Sequence, residues 1–371
     1  MELVQKKNFQ TDLYILNWIR GACAILVVLG HARVFGWGQG LPSDMWSNGI
    51  SRIILSPSSL GMESVSVFFV ISGYLVGGQT YNQITDGSFL WRRFLVDRMT
   101  RLYIVLIPGM LFTWLCFRFS QHIGNKSPNS NFELENFLCN VIFLMPTRCE
   151  PYGNNSSLWS LGYEFYFYLL FAAACTFFQR EKRYITRVFF FCLILTITIS
   201  FTPALFILFP AWLLGAFAYY LETQILDVWL NQRKNSIFFV GLFLLIISFL
   251  ISNLLSLNEN FTILFISLPA SIFIIAMAQI SKRINKPSSI GITLLDYFGK
   301  TSYSIYVFHL PIILLFFNFY SSLQGIFGII QIYLVGLMTI IFSSLAYFFF
   351  EKYTKNFRLY AYERFHITKA R

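Results

Sequence analysis

Apolar residues run along this chain in long blocks, without the two-residue alternation of a half-buried strand. Blocks near 12–35, 61–80, 102–119, 157–178, 186–201, 203–221, 236–256, 261–281, 298–320 and 326–350 each approach the length of about 20 residues that a helix needs to cross a hydrocarbon core. The pattern predicts an all-α polytopic membrane protein with about ten transmembrane helices. The stretch Phe137–Met145 is apolar but too short to span. It reads as an interfacial or re-entrant piece within the connection Ser120–Ser156, and leaves the parity of the spans unchanged. No internal repeat, low-complexity tract or appended soluble domain stands out, so residues 1–371 read as a single membrane domain.

Composition agrees with the pattern. Residues are 56% hydrophobic, 19% aromatic and only 12% charged, with a mean hydropathy of +0.60. A soluble domain carries roughly 25% charged residues. These values exclude a disulfide-stapled secreted module, a disordered chain and a soluble nucleic-acid binder, despite a net charge of +11. The charge is distributed by topology. With the amino terminus inside, 22 of the 28 lysines and arginines fall on the inner connections and the tail, five on the outer ones, and Arg20 within a helix. Under the positive-inside rule this places both termini in the cytoplasm. Attraction to anionic lipid headgroups follows as a side effect. The six cysteines form no CxxC motif and no Cys/His cluster, so neither a metal site nor a redox motif is indicated. Four lie in apolar runs; Cys139 and Cys149 share the outer connection and could pair there. The first apolar block contains Arg20 and lacks a small-x-small exit, so it reads as a retained helix rather than a cleavable signal.

An ionisable group inside a span costs roughly 2.5–3.5 kcal/mol on insertion scales, which makes each one a functional candidate. In "NWIRGACAILVVLGHARVF", Arg20 and His31 are eleven residues apart, about 20° past three full turns and about 16 Å along the axis, so they share a face at different depths. The bland alternative is a snorkelling Arg20 and an idle interfacial His31. Glu63 opens the second helix and Glu164 lies one to two turns into the fourth, both in the outer third with His31. Glu63 reads equally as an ordinary interfacial carboxylate. His309 falls near mid-membrane in the ninth helix, either as a satisfied structural histidine or as part of a site, and Pro311 after it frees a backbone carbonyl. "WRRFLVDRMTRLY" gathers Arg92, Arg93, Arg98 and Arg101 at the inner mouth of the third helix, as a positive-inside cluster or as a bidentate site for phosphates.

Taken in order, these segments resemble the acyltransferase family 3 membrane proteins, which include bacterial O-acetyltransferases of surface polysaccharides. "RGACAILVVLGH", "FFVISGYL", "RRFLVDRMTRLYIVLIP", "LWSLGYEFYFYLL", "GKTSYSIYVFHLPI" and "FEKYTKNF" are similar to successive family blocks across essentially the whole chain. One departure concerns the second helix. The family often has an acidic residue where this chain has Ser66, and here the acid is Glu63, one turn earlier.

The resemblance implies transfer of an acyl group, most often acetyl, from cytoplasmic acyl-coenzyme A to a hydroxyl of a cell-surface or lipid-linked glycan at the bacterial inner membrane. Acyl-coenzyme A would be a co-substrate, with no permanently bound cofactor and no metal. Arg20, Arg92, Arg93, Arg98 and Arg101 are then expected to bind the donor. His31 is expected to act as general base or as a transient acyl acceptor, with Glu164 orienting it and Glu63 in reserve. Trp159 and His309 are expected to contact substrate. Partners would be the glycan acceptor and membrane lipids, and no nucleic acid. A glycan transporter or flippase, a polysaccharide polymerase and a purely structural subunit are the competing classes. A secondary transporter is expected to show paired halves, and none is detected.

Overall fold

The computed structural model describes the chain except for residues 1–12, 39–48, 124–131, 146, 179–183, 201–202, 226, 256, 283–289 and 368–371. Lys6, Lys7, Lys126, Arg180, Lys182, Arg183, Arg283, Lys286, Lys369 and Arg371, which contribute to the charge asymmetry, therefore lie outside the described residues, as do the predicted span ends at 12, 201 and 256. Among the described residues there are helices and turns and no strand. In chain order the helices are α1 (Tyr14–Trp37), α2 (Gly49–Leu55), α3 (Gly61–Thr85), α4 (Trp91–His122), α5 (Leu134–Val141), α6 (Trp159–Phe178) and α7 (Tyr184–Ser200). They continue with α8 (Pro203–Tyr220), α9 (Asp227–Leu255), α10 (Glu259–Ser281), α11 (Ile290–Phe319), α12 (Gly325–Phe349) and α13 (Thr354–Arg364).

Every predicted span falls on one of these helices. Nine helices among the described residues are long and apolar enough to cross a membrane. The tenth predicted span, 186–201, falls on α7, whose 17 residues stand at the lower end of spanning length. The chain is thus an all-α polytopic membrane protein. The short apolar piece at 137–145 overlaps the eight-residue α5. Leu134, Leu138 and, just past its end, Ile142 point outward while Asn136 and Asn140 are buried. An apolar stripe turned away from the protein is what a helix lying along a lipid interface requires.

The chain divides into two compact units. Unit one comprises residues 1–24, 62–87 and 207–302. Helix association inside lipid gains little from the hydrophobic effect, so close approach of backbones must supply it. Here α3 and α8 meet at glycines: a Cβ on Gly73 would lie 1.9 Å from the Trp212 carbonyl oxygen, and one on Gly215 would lie 2.0 Å from that of Val70. Val67, Val70, Ile71 and Tyr74 then pack with Ala218, Ile266, Ala270 and Ile274. A π-helical turn, Leu221–Ile225, ends α8 and carries the fully buried Glu222. Its carboxylate accepts hydrogen bonds from the Tyr74 hydroxyl, from Gln279 Nε2 at 2.9 Å and from Lys282 Nζ at 2.7 Å. A buried carboxylate needs such a set of donors to offset its lost hydration.

Unit two comprises residues 25–61, 88–206 and 303–371. Its α4 and α11 touch closely at Gly109, where a Cβ would come within 2.3 Å of Val307. The connection from α4 to α6 is tied together twice. Cys139 and Cys149 form a disulfide, and Asn140, fully buried, donates to the Glu150 carbonyl at 3.0 Å and accepts from the Tyr152 backbone N–H at 3.0 Å.

Gly215→Val should cost about 1–3 kcal/mol or more through overpacking, read as a lowered melting temperature or lost folded yield in detergent. Gly291→Val, where nothing lies within 4 Å of the added Cβ, should leave both unchanged. Equal stability of the two variants would contradict the α3–α8 contact.

Candidate functional site

The centre of unit two is a pair of imidazoles. His31, half-buried on α1, and His309, fully buried on α11, meet with Nδ1 of His31 3.0 Å from Nε2 of His309. Their partners fix the proton positions. His309 Nδ1 faces two backbone carbonyls, Tyr306 at 2.8 Å and Ile305 at 3.1 Å. Carbonyls only accept, so this nitrogen carries the hydrogen, and Nε2 of the neutral ring is an acceptor. His31 Nδ1 faces that acceptor and the Val27 carbonyl at 3.2 Å. It too must be the protonated nitrogen, which leaves the lone pair of His31 on Nε2. Such a pair can take up one proton at a defined atom.

His309 was expected to contact substrate; it is buried behind His31, with both ring nitrogens engaged within the protein. Glu164 is expected to orient His31; the ring nitrogen that meets His31 Nδ1 belongs to His309. Glu164 accepts a hydrogen bond from the Tyr168 hydroxyl at 2.5 Å and lies, with Glu351, near enough to Arg101 to act on its charge. Glu351 in turn accepts from the Ser304 backbone N–H at 3.1 Å and hydroxyl at 2.6 Å.

The four arginines of α4 divide by the turn of the helix. Arg92 is exposed, with its guanidinium 5.4 Å from the Trp91 ring centre, and Arg93 is half-buried over Tyr362 at 5.5 Å. Arg98 is buried over Phe94 and Tyr168, and Arg101 is half-buried beside the two carboxylates. Arg92 is thus at the surface, Arg93 is half-covered by Tyr362, and Arg98 and Arg101 are held by aromatic faces and opposite charge. Asp97 accepts from the Tyr362 hydroxyl and pairs with Arg358 Nε at 3.2 Å, which docks α13 against the start of α4.

Trp159 caps the start of α6 and packs edge-on to Tyr163, half-buried. In unit two a cleft of about 410 Å³, including space open to solvent, is lined by Thr113, Phe117, Phe132, Asn154, Pro311 and Asn318 among others. Arg20 and Glu63 belong to unit one. Arg20 is half-buried on α1; Glu63 is buried and accepts from Asn253 Nδ2 at 3.1 Å, while Ser66, one turn on, donates to the Met62 carbonyl at 3.2 Å. Among the described residues no three His, Cys, Asp or Glu side chains come together as a metal site.

The residues that the pattern of the chain did not single out are Tyr168, Glu351 and Asp97, together with Asn155, Ser157, Ser160 and Tyr306 in the surroundings of His309. Most of them lie inside the family-like blocks without being singled out there, and for Asn155 the signal is indirect: Pro311 leaves the Val307 carbonyl in need of a donor.

Nine membrane-spanning helices among the described residues, a paired imidazole and an arginine–carboxylate cluster describe a multi-pass membrane protein. A family model described as an acyltransferase domain matches residues 13–348, and the chain belongs to this acyltransferase 3 family. It is a multi-pass membrane acyltransferase. No curated protein and no solved structure matches it.

Asp97→Ala removes the acceptor shared by Arg358 and Tyr362, so trypsin should cut the folded protein faster within α13, at Lys355 or Arg358. Peptide mass spectrometry over a time course reads this. An unchanged cutting rate would show that α13 is held by other contacts.

Proposed function

We propose that this acyltransferase moves a small acyl group, acetyl in the simplest case, from cytoplasmic acyl-coenzyme A to a hydroxyl of a lipid-linked or cell-surface glycan in the bacterial inner membrane. The observation that carries the reading is the protonation pattern of the imidazole pair. His31 Nδ1 has only acceptors around it, so its Nε2 offers a lone pair.

In the reaction, the acceptor hydroxyl attacks the thioester carbonyl carbon as its proton passes to His31 Nε2. A carbon–oxygen bond forms and the carbonyl electrons move to oxygen. Collapse of that intermediate breaks the carbon–sulfur bond, and the imidazolium returns the proton to the departing coenzyme A thiolate. One base thus serves both halves of the transfer. His309 does not touch substrate in this scheme. It is a positioning residue that keeps His31 in the reactive tautomer, the task a carboxylate performs in other histidine-based sites.

Arg92 and Arg93, with their guanidinium groups nearest the surface, suit the donor's phosphates, and the basic residues Lys352, Lys355 and Arg364 of the adjoining tail add to the field. Arg98 and Arg101 stand behind them, Arg98 with Asp97 and Arg101 with Glu164 and Glu351 as charge partners. With both termini cytoplasmic, as the lysine and arginine distribution implies, this arginine cluster faces the donor's compartment and the connection Ser120–Ser156 faces the acceptor's. A sugar has two features there to meet, the ring of Trp159 and the cleft beside Pro311. Glu63, engaged by Asn253 in unit one, takes no step in this mechanism. The donor-binding role of Arg20 rests on the family resemblance.

Membranes carrying the wild-type protein should move radiolabel from acetyl-coenzyme A to envelope glycans, and His31→Ala should abolish transfer while insertion and yield stay normal. Full activity in His31→Ala would remove the mechanism. Absence of label with both acetyl and succinyl donors would favour a protein that moves glycans without modifying them.

A further inference from the structure

Pro311 has no backbone N–H, so the carbonyl four residues earlier, that of Val307, loses the partner that an uninterrupted helix would give it. Inside a membrane no water is at hand to replace it, and a buried carbonyl left bare is costly. In unit two the replacement comes from outside the helix. Asn155 Nδ2 donates to the Val307 carbonyl oxygen at 3.1 Å.

Asn155 is built for this task. It is fully buried between the two short 3-10 turns Tyr152–Asn154 and Ser156–Leu158. Its backbone N–H donates to the Tyr152 carbonyl at 3.2 Å, and its own carbonyl accepts from the Leu158 N–H at 3.1 Å. The Ser157 hydroxyl donates to Asn155 Oδ1 at 2.5 Å, which fixes the amide so that its nitrogen, not its oxygen, faces Val307. Ser157 also lies 3.4 Å from the Tyr306 carbonyl, the same oxygen that accepts from His309 Nδ1 at 2.8 Å. Three residues further on, Ser160 Oγ and the Tyr306 hydroxyl are 2.7 Å apart. The Tyr306 carbonyl, which accepts from His309 Nδ1, and the Val307 carbonyl next to it in the same turn of α11 are therefore both contacted by the connection between α4 and α6. That connection is itself braced by Asn140 and the Cys139–Cys149 disulfide.

We propose that Asn155 is a positioning residue for the imidazole pair: by filling the carbonyl that Pro311 frees, it holds the turn of α11 that presents His309 to His31. Contacts run from Asn140 to Tyr152, Asn155 and the Val307 carbonyl, the backbone turn of α11 carries them on to His309, and His309 meets His31. The proposal rests on the reading of His31 as general base, and its test separates the two. The logic also predicts its own rescue. Pro311→Ala restores a backbone N–H at 311 that can bond Val307, after which the Asn155 amide is no longer needed.

The experiment compares wild type, Asn155→Ala, Ser157→Ala, Pro311→Ala, the Asn155→Ala/Pro311→Ala double variant and His31→Ala, all as full-length protein in membranes. Two quantities are read: acetyl transfer, as kcat and KM for donor and acceptor, and the rate at which diethyl pyrocarbonate modifies His31 at its free nitrogen, followed by peptide mass spectrometry without any turnover. Asn155→Ala should lower kcat about ten- to a hundredfold with KM values nearly unchanged, the scale expected when a reacting group is misplaced by a fraction of an ångström to an ångström. It should also slow modification of His31, and Ser157→Ala should show a weaker form of both effects. In the Pro311→Ala background the same substitution should cost much less in either quantity. Equal losses with and without Pro311, or wild-type kcat and modification rate in Asn155→Ala, would overturn the proposal. If Asn155→Ala fails to fold, the double variant decides, because recovery of folded, active protein on restoring the 311 N–H requires the Asn155–Val307 bond, and continued failure to fold denies it. If His31→Ala still transfers acetyl while the modification rates follow the predicted pattern, Asn155 positions the pair but the pair is not the base.

Discussion

Polar groups buried in a hydrocarbon layer must find partners within the protein, because water cannot supply them. Much of the structure is an answer to that constraint. The two histidines satisfy one another and the carbonyls around them. Glu222 collects Tyr74, Gln279 and Lys282. Asp97 takes Arg358 and Tyr362, and Glu351 takes both polar groups of Ser304. Each of these sets fixes a geometry as it lowers the cost of burial, and in the imidazole pair the fixed geometry is also a fixed tautomer. A lone pair held at one atom is what proton abstraction from a hydroxyl needs.

The same constraint explains why the fold was legible and much of the site was not. Span positions follow from apolar block length, which is written along the chain, and every predicted block falls on a helix. The 17-residue α7 shows the limit of that rule, since it sits where length alone separates a spanning helix from a shorter one. Candidate residues were visible for the same reason: Arg20, His31, Glu63, Glu164 and His309 are polar letters in apolar text. Their partners were not visible, because pairing depends on which helices meet. His31 and His309 are 278 positions apart, and nothing local to either block announces the other. Glu164 shares the depth assigned to His31, yet the hydroxyl that reaches it comes from Tyr168, on the next turn of its own helix.

The arginine-rich start of α4 illustrates the point in a graded way. Four arginines read as one phosphate site when only their number and side chemistry are considered. Helical rotation turns Arg98 and Arg101 inward to Tyr168 and the carboxylates and leaves Arg92 and Arg93 near the surface. Pro311 is the opposite case, where a single letter carried a structural demand. It required that some donor reach Val307 without saying which, and a residue 152 positions away in sequence meets that demand.

The central claim is that His309 serves catalysis by accepting the His31 Nδ1 hydrogen, not by touching substrate. The most direct measurement compares single-turnover acetyl transfer by His309→Gln and His309→Leu in membranes that contain equal amounts of folded protein. Glutamine keeps a side-chain oxygen that can accept from His31 Nδ1, whereas leucine fills the space without an acceptor. The glutamine variant should therefore retain a substantial share of the wild-type rate, and the leucine variant, in which His31 Nδ1 keeps only the longer contact to the Val27 carbonyl, should fall well below it. Transfer by the leucine variant at the wild-type rate would contradict the account.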